Sequence, residues 1–142
     1  MTRLLHHLSL GISDIGVAAA FYDAALGALG FQKVWAGKEG LGYGLVGDGE
    51  GTAGFEESLN LFLVPDLIVP GAGFHLALMA ETRAQVDAFY AAALEADGRD
   101  NGPPGLRPHY AEDYYAAFVF DPFGYKLEAV CNWRSQAEAR LL

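Results

Sequence analysis

The chain is short of cysteine, of positive charge and of long apolar runs. Its single cysteine, Cys131, excludes an internal disulfide, and a reducing cytoplasm is the compartment expected. Nine Lys and Arg stand against 18 Asp and Glu, the formal net charge is −9, and the basic residues nowhere cluster. Nucleic acid and anionic membrane faces both need a concentrated positive patch, so neither is an expected partner. No apolar stretch approaches the roughly 20 residues of a membrane-spanning helix. The opening MTRLLHHLSL lacks the basic stretch and unbroken apolar run of a secretion signal. What remains is a soluble globular chain of 142 residues, 52% hydrophobic, long enough for one well-filled core. Small neutral or cationic molecules and metal ions stay open as ligands.

What the chain does have is an internal duplication. Residues 7–32 laid over residues 75–100 without a gap agree at 11 of 26 positions. Setting aside the alanines, the matches are His7/His75, Leu8/Leu76, Leu10/Leu78, Phe21/Phe89, Tyr22/Tyr90, Leu26/Leu94 and Gly30/Gly98. A long period used only twice indicates two related modules packed together, since a solenoid needs three or more short units.

Each copy opens with an alternating strand. Leu8, Leu10 and Ile12 share one face and His7, Ser9 and Gly11 the other, with His6 turned away from His7; Phe74, Leu76 and Leu78 oppose His75, Ala77 and Met79. Ser13 or Asp14 can cap a helix carrying Ile15, Ala18, Tyr22, Ala25, Leu26 and Leu29, which Gly30 ends. In the second copy Thr82 and Gln85 form a capping box for a helix carrying Val86, Phe89, Tyr90, Ala93 and Leu94, which Gly98 closes. Short strands are expected at 31–36 and 41–46, a clearer one around Leu59, Leu61 and Leu63, then two at 114–120 and 125–131 after a Pro/Gly-rich stretch. Asp121-Pro122-Phe123-Gly124 suits a type I turn. Gly42 to Gly47 matches GxGxxG but leads into no helix, so it is no nucleotide fingerprint. The glycines from Gly37 to Gly54 suggest a hairpin or lid, and a short helix is expected from Trp133.

On the last strand Glu128 alternates with Lys126 and Val130, which places it with His7 and His75 on the concave side. The 68-residue offset takes Glu128 back to Asn60, so the four equivalent positions read His, Asn, His, Glu. Two imidazoles and one carboxylate suit a divalent ion with open positions, whether Fe(II), Mn, Zn, Ni or Co. The same residues also occur on strands as plain hydrogen-bonding groups. The segment GLRPHYAEDYY offers Arg107 for a substrate carboxylate or phosphate, His109 or Tyr110 as acid or base, and Tyr114 and Tyr115 as further aromatic contacts.

HHLSLGISDI running into FYDAAL, the strand GFHLAL and the closing DPFGYKLEAV resemble the vicinal oxygen chelate superfamily, from about residue 5 to 132. That group includes glyoxalase I, fosfomycin-resistance proteins, extradiol dioxygenases and bleomycin-binding resistance proteins. The resemblance implies an α+β fold in one domain, residues 1–142. Modules 5–65 and 73–132, each βαβββ, would curve into a cup of mixed sheet, with a tail at 133–142. It implies one divalent metal held by His7, His75 and Glu128, with Glu128 also able to take a proton. Asn60 departs from the fourth ligand, a Glu, of glyoxalase I and leaves room for water or substrate; Tyr115 and Arg107 join it as expected substrate contacts. A homodimer is implied. The function expected is a lactoylglutathione-lyase-like lyase or isomerase acting on a small molecule, with an Fe(II) dioxygenase or a non-catalytic binder of antibiotic-like molecules as the alternatives.

Overall fold

The structure is a computed structural model and describes residues 4–46 and 55–133. In the first half the alternation of Leu8, Leu10 and Ile12 becomes β1 (Leu8–Ile12). Asp14 then caps α1 (Ile15–Gly27) by accepting from the Val17 N–H at 2.8 Å. Ala18, Phe21, Tyr22, Ala25 and Leu26 form the buried stripe of α1. Gly30 leaves the helix with φ +88°, and the Phe31 N–H closes back on the Leu26 carbonyl. Three strands follow, β2 (Gln32–Ala36), β3 (Gly40–Val46) and β4 (Phe55–Leu63), in a sheet ordered β1-β4-β3-β2. β1 runs parallel to β4 with Leu8 opposite Leu59 and Leu10 opposite Leu61. The other two pairings are antiparallel.

The second half repeats the plan with β5 (Leu76–Met79), α2 (Arg83–Glu95), β6 (Arg99–Asp100), β7 (Gly105–Leu106), β8 (Tyr115–Phe120) and β9 (Lys126–Cys131). Its sheet is ordered β5-β9-β8-β6, with β7 also on β8. The pieces β6 and β7 are absent from the sequence reading; they flank Gly102-Pro103-Pro104, and proline has no N–H with which to carry a ladder across. The capping box forms as expected: Thr82 Oγ1 accepts from the Gln85 N–H, and Gln85 Oε1 accepts from the Glu81 N–H. The helix end differs. Asp97, not Gly98, takes the left-handed conformation, at φ 70°. Gly98 is needed for closeness instead, since a Cβ there would sit 2.6 Å from the Ala93 carbonyl oxygen and 2.8 Å from the Phe21 ring.

Each helix covers one face of its own sheet, and α1 packs on α2, so the two modules share a core. Two buried polar struts tie the modules together. The Tyr22 hydroxyl on α1 donates to Asp121 at 2.6 Å, and the Tyr125 hydroxyl donates to the Gly11 carbonyl at 2.7 Å. The 121–124 turn closes as expected, with the Gly124 N–H on the Asp121 carbonyl. The architecture is α+β, two mixed sheets with two helices. Among the described residues no helix is long and apolar enough to cross a membrane. Part of the glycine-rich hairpin, residues 47–54, and the tail after Trp133 lie outside the described residues.

Candidate functional site

Leu127, Ala129 and Cys131 of β9 face α2 and are buried, so Lys126, Glu128 and Val130 occupy the opposite, helix-free face. Register carries that face across the sheet: Glu128 lies opposite Phe118 on β8 and Ala77 on β5. His75, two residues before Ala77, comes to the same face. There a cavity of about 430 Å³ opens, lined by Phe74, His75, Tyr110, Tyr114, Phe118, Lys126 and Glu128.

At its floor the Glu128 carboxylate is only 2% exposed, an unusual burial for an acid. Its Oε1 lies 3.3 Å from His75 Nε2, and its Oε2 accepts the Tyr114 hydroxyl proton. Burial, and then the bond to Glu128, push the Tyr114 phenol well above its ordinary value, so it stays protonated and acts as a donor. Tyr110 packs at a tilt against Tyr114 with ring centroids 5.1 Å apart, and His109 against Tyr110 at 4.2 Å, forming a chain of rings from the surface to the carboxylate. His75 keeps half its side chain exposed. A buried carboxylate beside an accessible imidazole is a chemically apt pair of metal donors.

His7 lies elsewhere. β1 begins only at Leu8, as β5 begins only at Leu76, so strand alternation fixes the direction of neither histidine, and His6, expected to turn away, meets His7 with the two Nδ1 atoms 2.8 Å apart. Both line a separate cavity of about 210 Å³ with residues of β1 and β5, including Leu8, Leu76 and Met79. Among the described residues, no three His, Cys, Asp or Glu side chains of one protomer gather as a metal site. The residues present therefore fit two-thirds of the expected ligand set at one place, with the third on the other module.

Asn60 is buried, and its Oδ1 accepts from Trp35 Nε1 at 3.0 Å. A bulge between Lys33 and Trp35 re-aims the indole across β3. It lies directly on Gly42, where an added Cβ would be 1.9 Å from Nε1. Gly42→Ala is therefore expected to dislodge Trp35 and cost about 1–3 kcal/mol, checked by a red shift of tryptophan emission and a lower unfolding midpoint; unchanged emission would show that the indole does not depend on that bare strand.

Arg107 is tied into its own loop, donating to the Pro103 carbonyl at 2.7 Å with its guanidinium over Phe118. Tyr115 turns to the α2 side, donating to Asp87 at 2.6 Å beneath Arg83. Alternation decides this: Tyr114 and Tyr115 are neighbours in sequence but sit on opposite faces. Of the expected site residues, Glu128, His75 and Tyr110 converge with His109 stacked at the rim, while Asn60, Arg107 and Tyr115 point elsewhere. Phe74 and Phe118 emerge only from the structure. Lys126 was signalled by its place two residues before Glu128.

The model of the Glyoxalase/Bleomycin resistance protein/Dioxygenase superfamily matches residues 4–129. A glyoxalase/bleomycin resistance protein from Albidiferax ferrireducens is similar at 31% identity and TM-score 0.71, over 90% of this chain and 98% of that one. A glyoxalase-related enzyme from Fulvimarina pelagi shares the fold at 20% identity and TM-score 0.67, over 96% and 95%. No curated protein matches. Because one family model runs through both modules and a 31% identical structure overlies nine-tenths of the chain, the protein belongs to the glyoxalase/bleomycin resistance/dioxygenase superfamily, the vicinal oxygen chelate proteins.

Proposed function

We propose that the protein is a metal-dependent lyase or isomerase of glyoxalase type, acting on a small molecule with two adjacent oxygens. What carries this reading is the nearly inaccessible Glu128 carboxylate within 3.3 Å of His75 at the floor of an open cavity. A carboxylate is desolvated at a cost, and such a cost is typical of a site kept for function. His75 and Glu128 would hold one divalent ion, Zn, Ni, Mn, Co or Fe(II), with His7 as the third ligand. When bound, the ion supplies Lewis-acid polarisation of the substrate oxygens.

His7 would come from a second copy. Phe62 and Met79 lie on the helix-free faces of the two sheets and are 41% and 66% exposed. A two-fold dimer that lays the first module of one copy on the second module of the other would cover them and form two equivalent sites. The chain's own contributions are then distinct. Phe74 and Phe118 keep water from the floor, Lys126 offers a cation to an anionic substrate oxygen, and Glu128 is the group placed to take a proton. His109 and Tyr110 stand at the rim.

One experiment tests the reading: metal content of protein purified without chelators or a His tag, beside His75→Ala. The expected result is close to one equivalent of a transition metal per chain in the parent and little in the variant. Iron would favour the dioxygenase chemistry of the same ligand set. Absence of metal even after reconstitution would sink the enzyme reading and favour a binder, for which the aromatic walls of Phe74, Tyr110, Tyr114 and Phe118 around a buried carboxylate are suited.

A further inference from the structure

The Glu128 cavity has two unlike ends, set by the order of side chains along β9. Lys126 and Glu128 share its helix-free face two residues apart, about 6–7 Å at the rise of a strand, and both line the cavity. None of the ion pairs among the described residues takes Lys126. Glu128 turns its oxygens to His75 and Tyr114, so the half-buried Lys126 has no carboxylate, in a chain whose acids far outnumber its Lys and Arg. Such a cation is left to pair with an anionic group of the ligand.

The other end is aromatic. Lys126 lies opposite Phe120, whereas Tyr114 enters just before Tyr115, which lies opposite Cys131 at the far end of β9. Tyr114 and its neighbour Tyr110 therefore stand on the side of Glu128 away from Lys126. Tyr110 is 62% exposed yet in contact with the rings of both His109 and Tyr114, so it offers a planar group a face with little ordering left to undergo. Phe118, opposite Glu128, continues the apolar wall between the ends. One ammonium matches one negative charge, and a doubly charged phosphate would leave the second uncompensated near the buried Glu128. We propose that the small molecule taken by this cavity is an aryl-substituted carboxylic acid bound as its anion, with the carboxylate on Lys126, the ring against Tyr110 and the carbons between them over His75 and Glu128. The proposal deepens the reading of this cavity as the substrate site and rests on it, but not on the metal.

Three probes of one shape separate charge from ring: 3-phenylpropanoate, 3-phenylpropanol and 3-phenylpropylamine, titrated into the protein by calorimetry. The expected result is that the acid binds about ten-fold tighter than the alcohol, with the amine weakest. Lys126→Met, which keeps the apolar stem, should abolish that preference. Tyr110→Ala should weaken all three probes by a similar factor and keep their order. Equal affinities for acid and alcohol, an acid preference that survives Lys126→Met, or no binding of any probe would each overturn the proposal. Tightest binding of the amine would overturn it in favour of a binder of cations. The metal measurement above fails separately: an acid preference set by Lys126 in a protein that takes up no metal would sink the lyase reading and leave this ligand class standing.

Discussion

Glu128→Gln is expected to weaken metal binding by about 100-fold or more while leaving the fold as stable as the parent or slightly more so. Loss of partners that merely orient ligands already costs 10–100-fold, and Glu128 is read here as a ligand. The stability side follows from burial. The side chain is 2% exposed, whereas His75 opposite it is 54% exposed, so removing the charge relieves desolvation without stranding a buried partner. A glutamine oxygen still accepts the Tyr114 hydroxyl, and the shape is kept. Zinc titration calorimetry and a thermal melt on the same samples check both halves. Undiminished zinc affinity would remove Glu128 from the ligand set. A large drop in melting temperature would mean that the carboxylate serves the fold.

Asp121→Ala should have the opposite signature, a destabilisation of about 3–5 kcal/mol from loss of a fully used buried carboxylate. Asp121 is 1% exposed and accepts from the Tyr22 hydroxyl and from the Phe123 and Tyr125 N–H groups. Tyr22 is itself wholly buried, so its hydroxyl would be left without a partner in the shared core. For a chain of this size the midpoint should fall by about 10 °C or more; a fall of only a degree or two would mean that water replaces the carboxylate.

The group also carries a pH signature. Burial, opposed by those hydrogen bonds, holds the Asp121 carboxyl above its ordinary 3.8. The folded protein therefore binds that proton more tightly than the unfolded chain. Its contribution to stability grows as pH falls from the raised folded value toward 3.8, and it is flat at higher pH. Asp121→Asn should lose this acid-side gain, which urea unfolding between pH 4 and 7 would reveal. Tyr22 titrates far above this window, pushed up by burial and by Asp121, and stays a donor throughout.

Much of the architecture was legible because local patterns and burial agree. The strand alternation around Leu8–Ile12 and Leu76–Met79, the caps at Asp14 and Thr82, the exit at Gly30 and the Asp121–Gly124 turn all appear as their chemistry requires. Glu128 was legible for the same reason, since period-two alternation on β9 puts it on the face away from α2. Where alternation stops, legibility stops. His7 precedes the first residue of β1 and His75 the first residue of β5, and the bulge before Trp35 changes the face that counting assigns to it. The substrate roles expected of Arg107 and Tyr115 were drawn from their nearness in sequence to Tyr110, which says nothing of the face on which a side chain emerges.

The sequence by itself determined the duplication and the α+β plan. Each of these follows from composition or from a period that any paired strand must keep. Only the tertiary structure decided that Tyr114 closes on Glu128, that Trp35 occupies Asn60, and that His7 stands apart from the pair. Those depend on which strands become neighbours, where a ladder slips by one residue, and how two modules pack through their helices, and such long-range matters leave no periodic trace in the chain.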